Sequence, residues 1–352
     1  MAAAAVSAGD AACCARVPAL LEALRDEERA APALLELRED FLARAPARPE
    51  AVAALLSAGL VPLLLSLCAK PSPGPLLFTA LRLATIVSTA ARDHVGLAGF
   101  AQLLGVAERS VAVEDALFST LANVSTAASV AAAVCGEEGL PTLRRLLTVI
   151  DRSPSLKAFG PLPNLAATAP NASLQAFFDC GVVTWLGNYM RRFIFFTPEP
   201  AVAVPILRLC RSLLRTPAHR EAMQPLYIWF ASALALLSTS LSMTDDLPKM
   251  AATASTCITK CALDAATPPL RDRDLAAFNA AGALASMARL AAWSPHPKSI
   301  DDAMSTARHL MRVVCAPPAF VELLFPSLLD TFFTLPALCA VVRIHARKGA
   351  AG

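Results

Sequence analysis

Four glycines recur at a nearly constant interval: Gly59, Gly99, Gly139 and Gly181 are separated by 40, 40 and 42 residues. Each opens an apolar run, "LVPLLLSL", "FAQLLGVA", "LPTLRRLL" and "VVTWLGNYM" in turn. A fixed period of this length marks a repeat architecture, in which each unit covers its apolar face with the next one. At each glycine one helix stops and another restarts, and glycine permits this by entering φ > 0 without a side-chain clash. The expectation is a bend at each glycine, joining a short helix to a second that leaves it steeply. Pro62 and Pro141 fit the start of that second helix, where the missing N–H has no partner to lose.

A second landmark keeps the same step. Sixteen or seventeen residues before each restart lies the end of a further helix: "ALRLA" around Arg82, "TLANVS" around Asn123, "PLPNLA" around Asn164. "ILRLC" around Arg208 continues the series. Loops rich in Pro and Ser ("KPSPGP", "DRSP", "FTPEP") precede this third helix, which should be the longest of each unit. Alanine, the best helix former, supplies roughly a fifth of the chain, and aromatics only 6%. Beyond residue 215 the rhythm loosens. Met223 stands where a glycine would fall, Gly282 restores the motif, and "PPAFVELLFPSLL" reads as a degenerate last copy.

Residues 1–47 read as a helical cap. Leu20, Leu21, Leu24, Leu34, Leu37 and Phe41 fall at helical spacing on one side, while the intervening charges read as a solvated back. Residues 48–340 form the array, and 341–352 a short basic tail.

These units resemble armadillo repeats. The family pattern has an Ala-Gly bend, a proline-started leucine-rich second helix and a third helix ending in Leu-x-Asn-Leu-Ala. "SAGLVPLLLSL" and "GPLPNLAAT" match it best, and the resemblance covers about residues 48–330. It implies an all-α, right-handed α-solenoid of about six to seven three-helix repeats. It further implies a protein–protein interaction scaffold, whose third helices line a concave groove that takes a protein or peptide partner. In the family an asparagine near the end of the third helix holds the backbone of a bound peptide, and Asn123 and Asn164 match that position. Arg82 and Arg208 take the place in neighbouring repeats, and Lys260 and Arg312 in later ones. The family's groove tryptophan is absent, with Ser119 and Gly160 in its place. That departure argues against a basic nuclear-import signal as ligand. The arginines favour an acidic or phosphorylated segment instead, because guanidinium pairs well with such groups.

Other chemistries find little support. A net charge of +3 without a dense basic run gives no phosphate-tracking surface, so nucleic acid is not an expected partner. No phosphate loop, nucleophile elbow or His-Glu-x-x-His pair occurs. His94, His219, His296, His309 and His345 lie far apart and read as surface groups. Cys257 and Cys261 share a helix face, but a zinc site needs about four ligands and no second pair is near. The expectation is a non-enzymatic protein without cofactor, metal or small-molecule substrate. Trp185, Trp229 and Trp293 fall on second helices and read as core. Most of the ten cysteines sit in apolar runs as small buried hydrophobes, and the amino-terminal stretch lacks a secretory signal, which fits a reducing cytoplasm. The alternative is a membrane-associated helical protein. Residues 222–244 are uncharged over a bilayer-spanning length, and 51–69 and 116–136 nearly so, though Gly59–Pro62 and Asn123–Ser129 interrupt these two.

Overall fold

The computed structural model describes residues 8–26, 28–47, 49–69, 75–109, 113–153, 155–192 and 200–226, together with 229, 230, 233, 253 and 257. Among these residues every regular element is helical. The chain divides into two compact units, residues 1–180 and 181–352.

The first unit opens with α1 (Ala8–Arg25) and α2 (Ala30–Glu36), the latter continuing into a wider π-helical turn (Leu37–Leu42). Three triplets follow. The first is α3 (Pro49–Ser57), α4 (Leu60–Cys68) and α5 (Pro75–Val87). The second is the bent α6 (Thr89–Ala107) with α7 (Glu114–Val124), and the third is α8 (Ala128–Val134), α9 (Leu140–Arg152) and α10 (Pro161–Thr168). Helix α11 (Gln175–Asp179) closes the unit. Each second helix packs on the next, α4 on α6 and α6 on α9, and each third helix does likewise, α5 on α7 and α7 on α10. An all-α solenoid results. Its core is a column of leucines and phenylalanines, Phe78, Phe100, Phe118 and Leu165 among them, all without solvent exposure. Each contributes about 1.5–3 kcal/mol by leaving water.

The bends differ from the expected set. Gly59 holds φ 88°, and α3 and α4 meet there at 62°. Gly181 likewise holds φ 77°. Between them the bend falls at Gly96 (φ 58°, ψ −172°), three residues before Gly99. Gly99 itself lies inside the second half of α6. It is small for packing: a Cβ there would stand 2.9 Å from Leu65 Cδ1 on the preceding second helix. Gly139 has a right-handed backbone (φ −83°), entering α9 from the 3-10 turn Glu137–Gly139. What excludes a side chain there is proximity, since a Cβ would lie 2.2 Å from the Ala133 carbonyl oxygen and 2.3 Å from that of Val134. The third helix is also not always the longest. Helix α10 has 8 residues against 13 in α9, because the chain enters it through a 3-10 turn (Leu156–Phe159) and restarts at Pro161.

The amino-terminal segment packs on the first triplet. Leu20, Leu21, Leu24, Leu34, Leu37 and Phe41 are all buried, with α1 against α3 and α4 and α2 against α5. Asp10, only 3% exposed, accepts from the backbone N–H groups of Glu50 and Ala51, both at 3.1 Å. A carboxylate forty residues upstream thus satisfies two first-turn donors of α3 that have no intrahelical acceptor.

In the second unit α12 (Val182–Met190) packs on α13 (Pro200–Leu213), followed by α14 (Pro217–Ala222) and a 3-10 turn (Gln224–Leu226). Thr216 caps α14, its Oγ1 accepting from His219 N at 3.2 Å. Two expectations change here. Trp185 is only half-buried and lies against Tyr189, one helical turn on, with ring centroids 4.3 Å apart and ring planes tilted by 39°. His219 is 7% exposed and not a surface group, because it faces inward on a short helix. Trp293, His296, His309 and His345 lie outside the described residues, as do the later repeats and the tail.

No single described helix is long and apolar enough to cross a membrane. The pairs α3–α4 and α7–α8 reach the length only together and turn by 62° and 103° at their junctions. Most of 222–244 lies outside the described residues.

Candidate functional site on the third-helix layer

Each third helix buries one stripe and leaves another open. On α5 the open stripe carries Arg82 and, one turn on, Ile86, which is 48% exposed. On α7 it carries Ser119, Ala122 and Asn123, all half-buried. On α10 it carries Asn164, half-buried, and Ala167, exposed. Helix α7 lies between the other two, so Arg82, Asn123 and Asn164 belong to one continuous layer.

Their situations differ. The Arg82 guanidinium has no hydrogen bond or ion pair among the described residues. The side-chain amide of Asn123 is equally unengaged, although its backbone carbonyl accepts from Thr126 N at 3.1 Å and Thr126 Oγ1 at 2.6 Å. Asn164 points inward to its neighbour, with Nδ2 donating to the Ala122 carbonyl at 2.8 Å. Gly160 adjoins the same spot, since a Cβ there would lie 3.1 Å from Ala122 Cβ. Helices α7 and α10 are therefore drawn together at Ala122.

The polar groups at the start of α7 are internally matched. Ser153 Oγ donates to Glu114 Oε2 at 2.5 Å, Ser155 Oγ donates to Asp115, and Lys157 Nζ stands 3.3 Å from Asp115 Oδ2. The Ser155 hydrogen bond, with help from Lys157, holds the Asp115 carboxyl below its ordinary range. At the far end Arg92 Nη1 donates to Thr126 Oγ1 at 2.7 Å.

Arg208 is exposed on α13 in the second unit and is not free of partners. Lys260 and Arg312 lie outside the described residues. The structure thus places Arg82, Asn123 and Asn164 on three successive third helices, and gives Asn164 a bond inside the fold.

Among the described residues no cluster of three or more His, Cys, Asp or Glu could hold a metal ion. Burial pushes the thiols of Cys68 and Cys135 up to about 12, far from a reactive thiolate near neutrality.

One constellation has no counterpart in the sequence reading. Arg145 of α9 crosses the last turn of α6, donating from Nε to Glu108 Oε1 at 2.7 Å, from Nη2 to Glu108 Oε2, and from Nη1 to the Ala101 carbonyl at 3.4 Å. The crossing passes over Gly105: a Cβ there would be 3.1 Å from Arg145 Nη2 and 3.7 Å from Arg109 Nη1. The signal was a buried glycine within "LLGVAERS", 40 residues before Arg145 in "LRRLL".

No protein-family model matches the chain, and no curated protein does. Solved structures do. An engineered protein superposes with a TM-score of 0.55 at 18% identity, covering 92% of this chain and 86% of its own. A chain from a structure concerned with a conserved phosphorylation switch controlling the cadherin–beta-catenin interaction superposes with a TM-score of 0.54 at 14% identity, covering 86% and 68%. At such identities the likeness establishes the helical-repeat fold alone.

Proposed function

We propose that this solenoid is a non-enzymatic, cytoplasmic interaction scaffold that holds an extended, acidic or phosphorylated segment of a partner protein against its third-helix layer. The observation that carries the reading is the pair Arg82 and Asn123. They sit on adjacent third helices whose other polar groups are largely satisfied within the fold, yet their own side chains have no hydrogen bond or ion pair among the described residues. An asparagine amide offers a donor and an acceptor to a passing main chain, and a free guanidinium offers a two-pronged donor to a carboxylate or phosphate. Each charge-assisted contact of this kind supplies about 1.5–3 kcal/mol. Ile86, exposed beside Arg82, adds apolar surface that a side chain of the same segment would cover. One structural neighbour concerns an interaction between two proteins under phosphorylation control, a role of the same general kind. No cofactor, metal, nucleic acid or small-molecule substrate enters this reading.

The test is a panel of extended peptides of equal length, acidic, phosphorylated, neutral and basic, with binding to the full chain followed by fluorescence anisotropy. Acidic and phosphorylated members should bind best, Arg82→Glu should remove that preference, and Asn123→Ala should weaken all binders alike. A preference for basic peptides, or binding indifferent to both substitutions, would overturn the reading.

A further inference from the structure

We propose that the second-helix layer carries a separate oxyanion site, formed by Arg109 and Arg145 over Gly105 with Arg152 adding positive potential, that takes a phosphate group. The inference is independent of the third-helix reading, because its residues lie on α6, α9 and the turn after α6.

Arg145 is the fixed element. Three of its five N–H donors are spent on Glu108 and on the Ala101 carbonyl, so its guanidinium lies in a set orientation across α6 with two donors left over. Gly105 makes this possible, since a side chain there would meet the Arg145 guanidinium. From the end of α6, Arg109 brings its Nη1 to the same glycine. Two guanidinium groups therefore converge over one bare stretch of helix, and the Arg109 side chain has no hydrogen bond among the described residues.

Charge is out of balance there. Glu108 is the carboxylate acting on Arg145, whereas Arg145, Arg152 and Arg109 all act on Glu108. Two guanidinium groups stand over Gly105 beside one carboxylate, and the charge of Arg152 reaches the same carboxylate. The Arg145 hydrogen bond, reinforced by all three positive charges, holds the Glu108 carboxyl below its ordinary range, so it stays ionised and keeps Arg145 in place. Like charges held together at a partly exposed surface repel by about 1 kcal/mol or more per close pair, and an incoming anion relieves that cost. The surplus of two charges matches a phosphate monoester near neutral pH. Its tetrahedral oxygens also suit donors that arrive from the two differently placed planes of Arg109 and Arg145. An ordinary surface ion pair needs one arginine for one carboxylate, and the further two arginines have no such explanation.

The test uses the full chain titrated with inorganic phosphate at constant ionic strength, followed by calorimetry and by the amide resonance of Gly105. Saturable binding that shifts Gly105 is expected. Arg109→Gln with Arg152→Gln should weaken it by about tenfold or more, because the Arg109 contact is lost outright and the charge of Arg152 goes with it. The exposed pair Arg25→Gln with Arg29→Gln, equal in charge lost, should leave it unchanged. A short phosphoserine peptide and its serine counterpart separate the sources. Tighter binding of the phosphopeptide assigns the site to a phosphorylated partner, and equal binding assigns it to the free ion. Absence of saturation, binding undiminished by the Arg109/Arg152 variant, or an equal loss in the Arg25/Arg29 control would overturn the proposal.

Discussion

Asn164 donates its side-chain N–H to the carbonyl oxygen of Ala122 across 2.8 Å, tying the third helix of one repeat to that of the repeat before it. Asn123, 41 residues earlier in the same series, has no such bond. Two asparagines that look equivalent along the chain therefore do different work, one inside the fold and one at its surface.

Alanine substitution should separate them. Asn164→Ala removes a half-buried hydrogen bond and leaves the Ala122 carbonyl short of a donor, so it should cost about 1 kcal/mol of unfolding free energy. Asn123→Ala should cost nearly nothing, within about 0.5 kcal/mol. Urea denaturation of both variants checks this, and equal losses would show that the bond to Ala122 contributes nothing.

The bend glycines should separate in the same way. At Gly59 a Cβ meets nothing within 4 Å, and Gly59→Ala pays only for the left-handed backbone, about 1–2 kcal/mol. At Gly139 the backbone is ordinary, but the added carbon collides with two carbonyl oxygens that the rest of α8 holds in place. Gly139→Ala should therefore lose about 3 kcal/mol, more than Gly59→Ala. Thermal melts ranked the other way would refute the close approach.

Acidification should act in two steps. Burial, with Arg215 nearby, lowers the pKa of His219, so the unfolded chain takes up its proton first. Its contribution is complete above the unfolded value of about 6.5 and is lost as pH falls from there. Glu108, lowered mainly by its hydrogen bond from Arg145, and Asp115, lowered mainly by Ser155, give a contribution that is whole above about pH 4 and lost below it. Melting temperature followed against pH should show both declines, and His219→Asn should erase the first. A variant that keeps the shoulder near pH 6 would reject this assignment.

The thiols give a chemical check on burial. Cys68 and Cys135, pushed to about 12, should resist alkylation at pH 8 in the folded protein, while the half-exposed Cys14 and Cys180 react ahead of them. Mass spectrometry after timed exposure to iodoacetamide reads the order. Early labelling of Cys68 would mean that the packing of α4 is looser than described.

What could be read from the sequence was whatever periodicity controls. The spacing of apolar residues located the stacked second and third helices, and the six residues it picked out between Leu20 and Phe41 are all buried, with only Ala33 missed among the described residues of that stretch. What escaped it depends on rotation about a helix axis or on backbone angles. Gly96 and Gly99 are both glycines in one apolar run, and only φ tells which one bends the chain. Asn164 and Asn123 share a register position, but the close approach at Gly160 turns one of them toward its neighbour. The Arg145–Glu108 pair joins positions 37 residues apart, and charge patterns along a chain do not reveal partners on an adjacent helix.

The carboxylate of Asp10 bears on how such an array begins. Synthesis proceeds from the amino end, so this acceptor has already emerged when Glu50 and Ala51 present their N–H groups. The earliest triplet thus meets a ready-made platform, and ordering can spread onward from it as later triplets emerge. Fragments lacking the first helix would have to nucleate in mid-air.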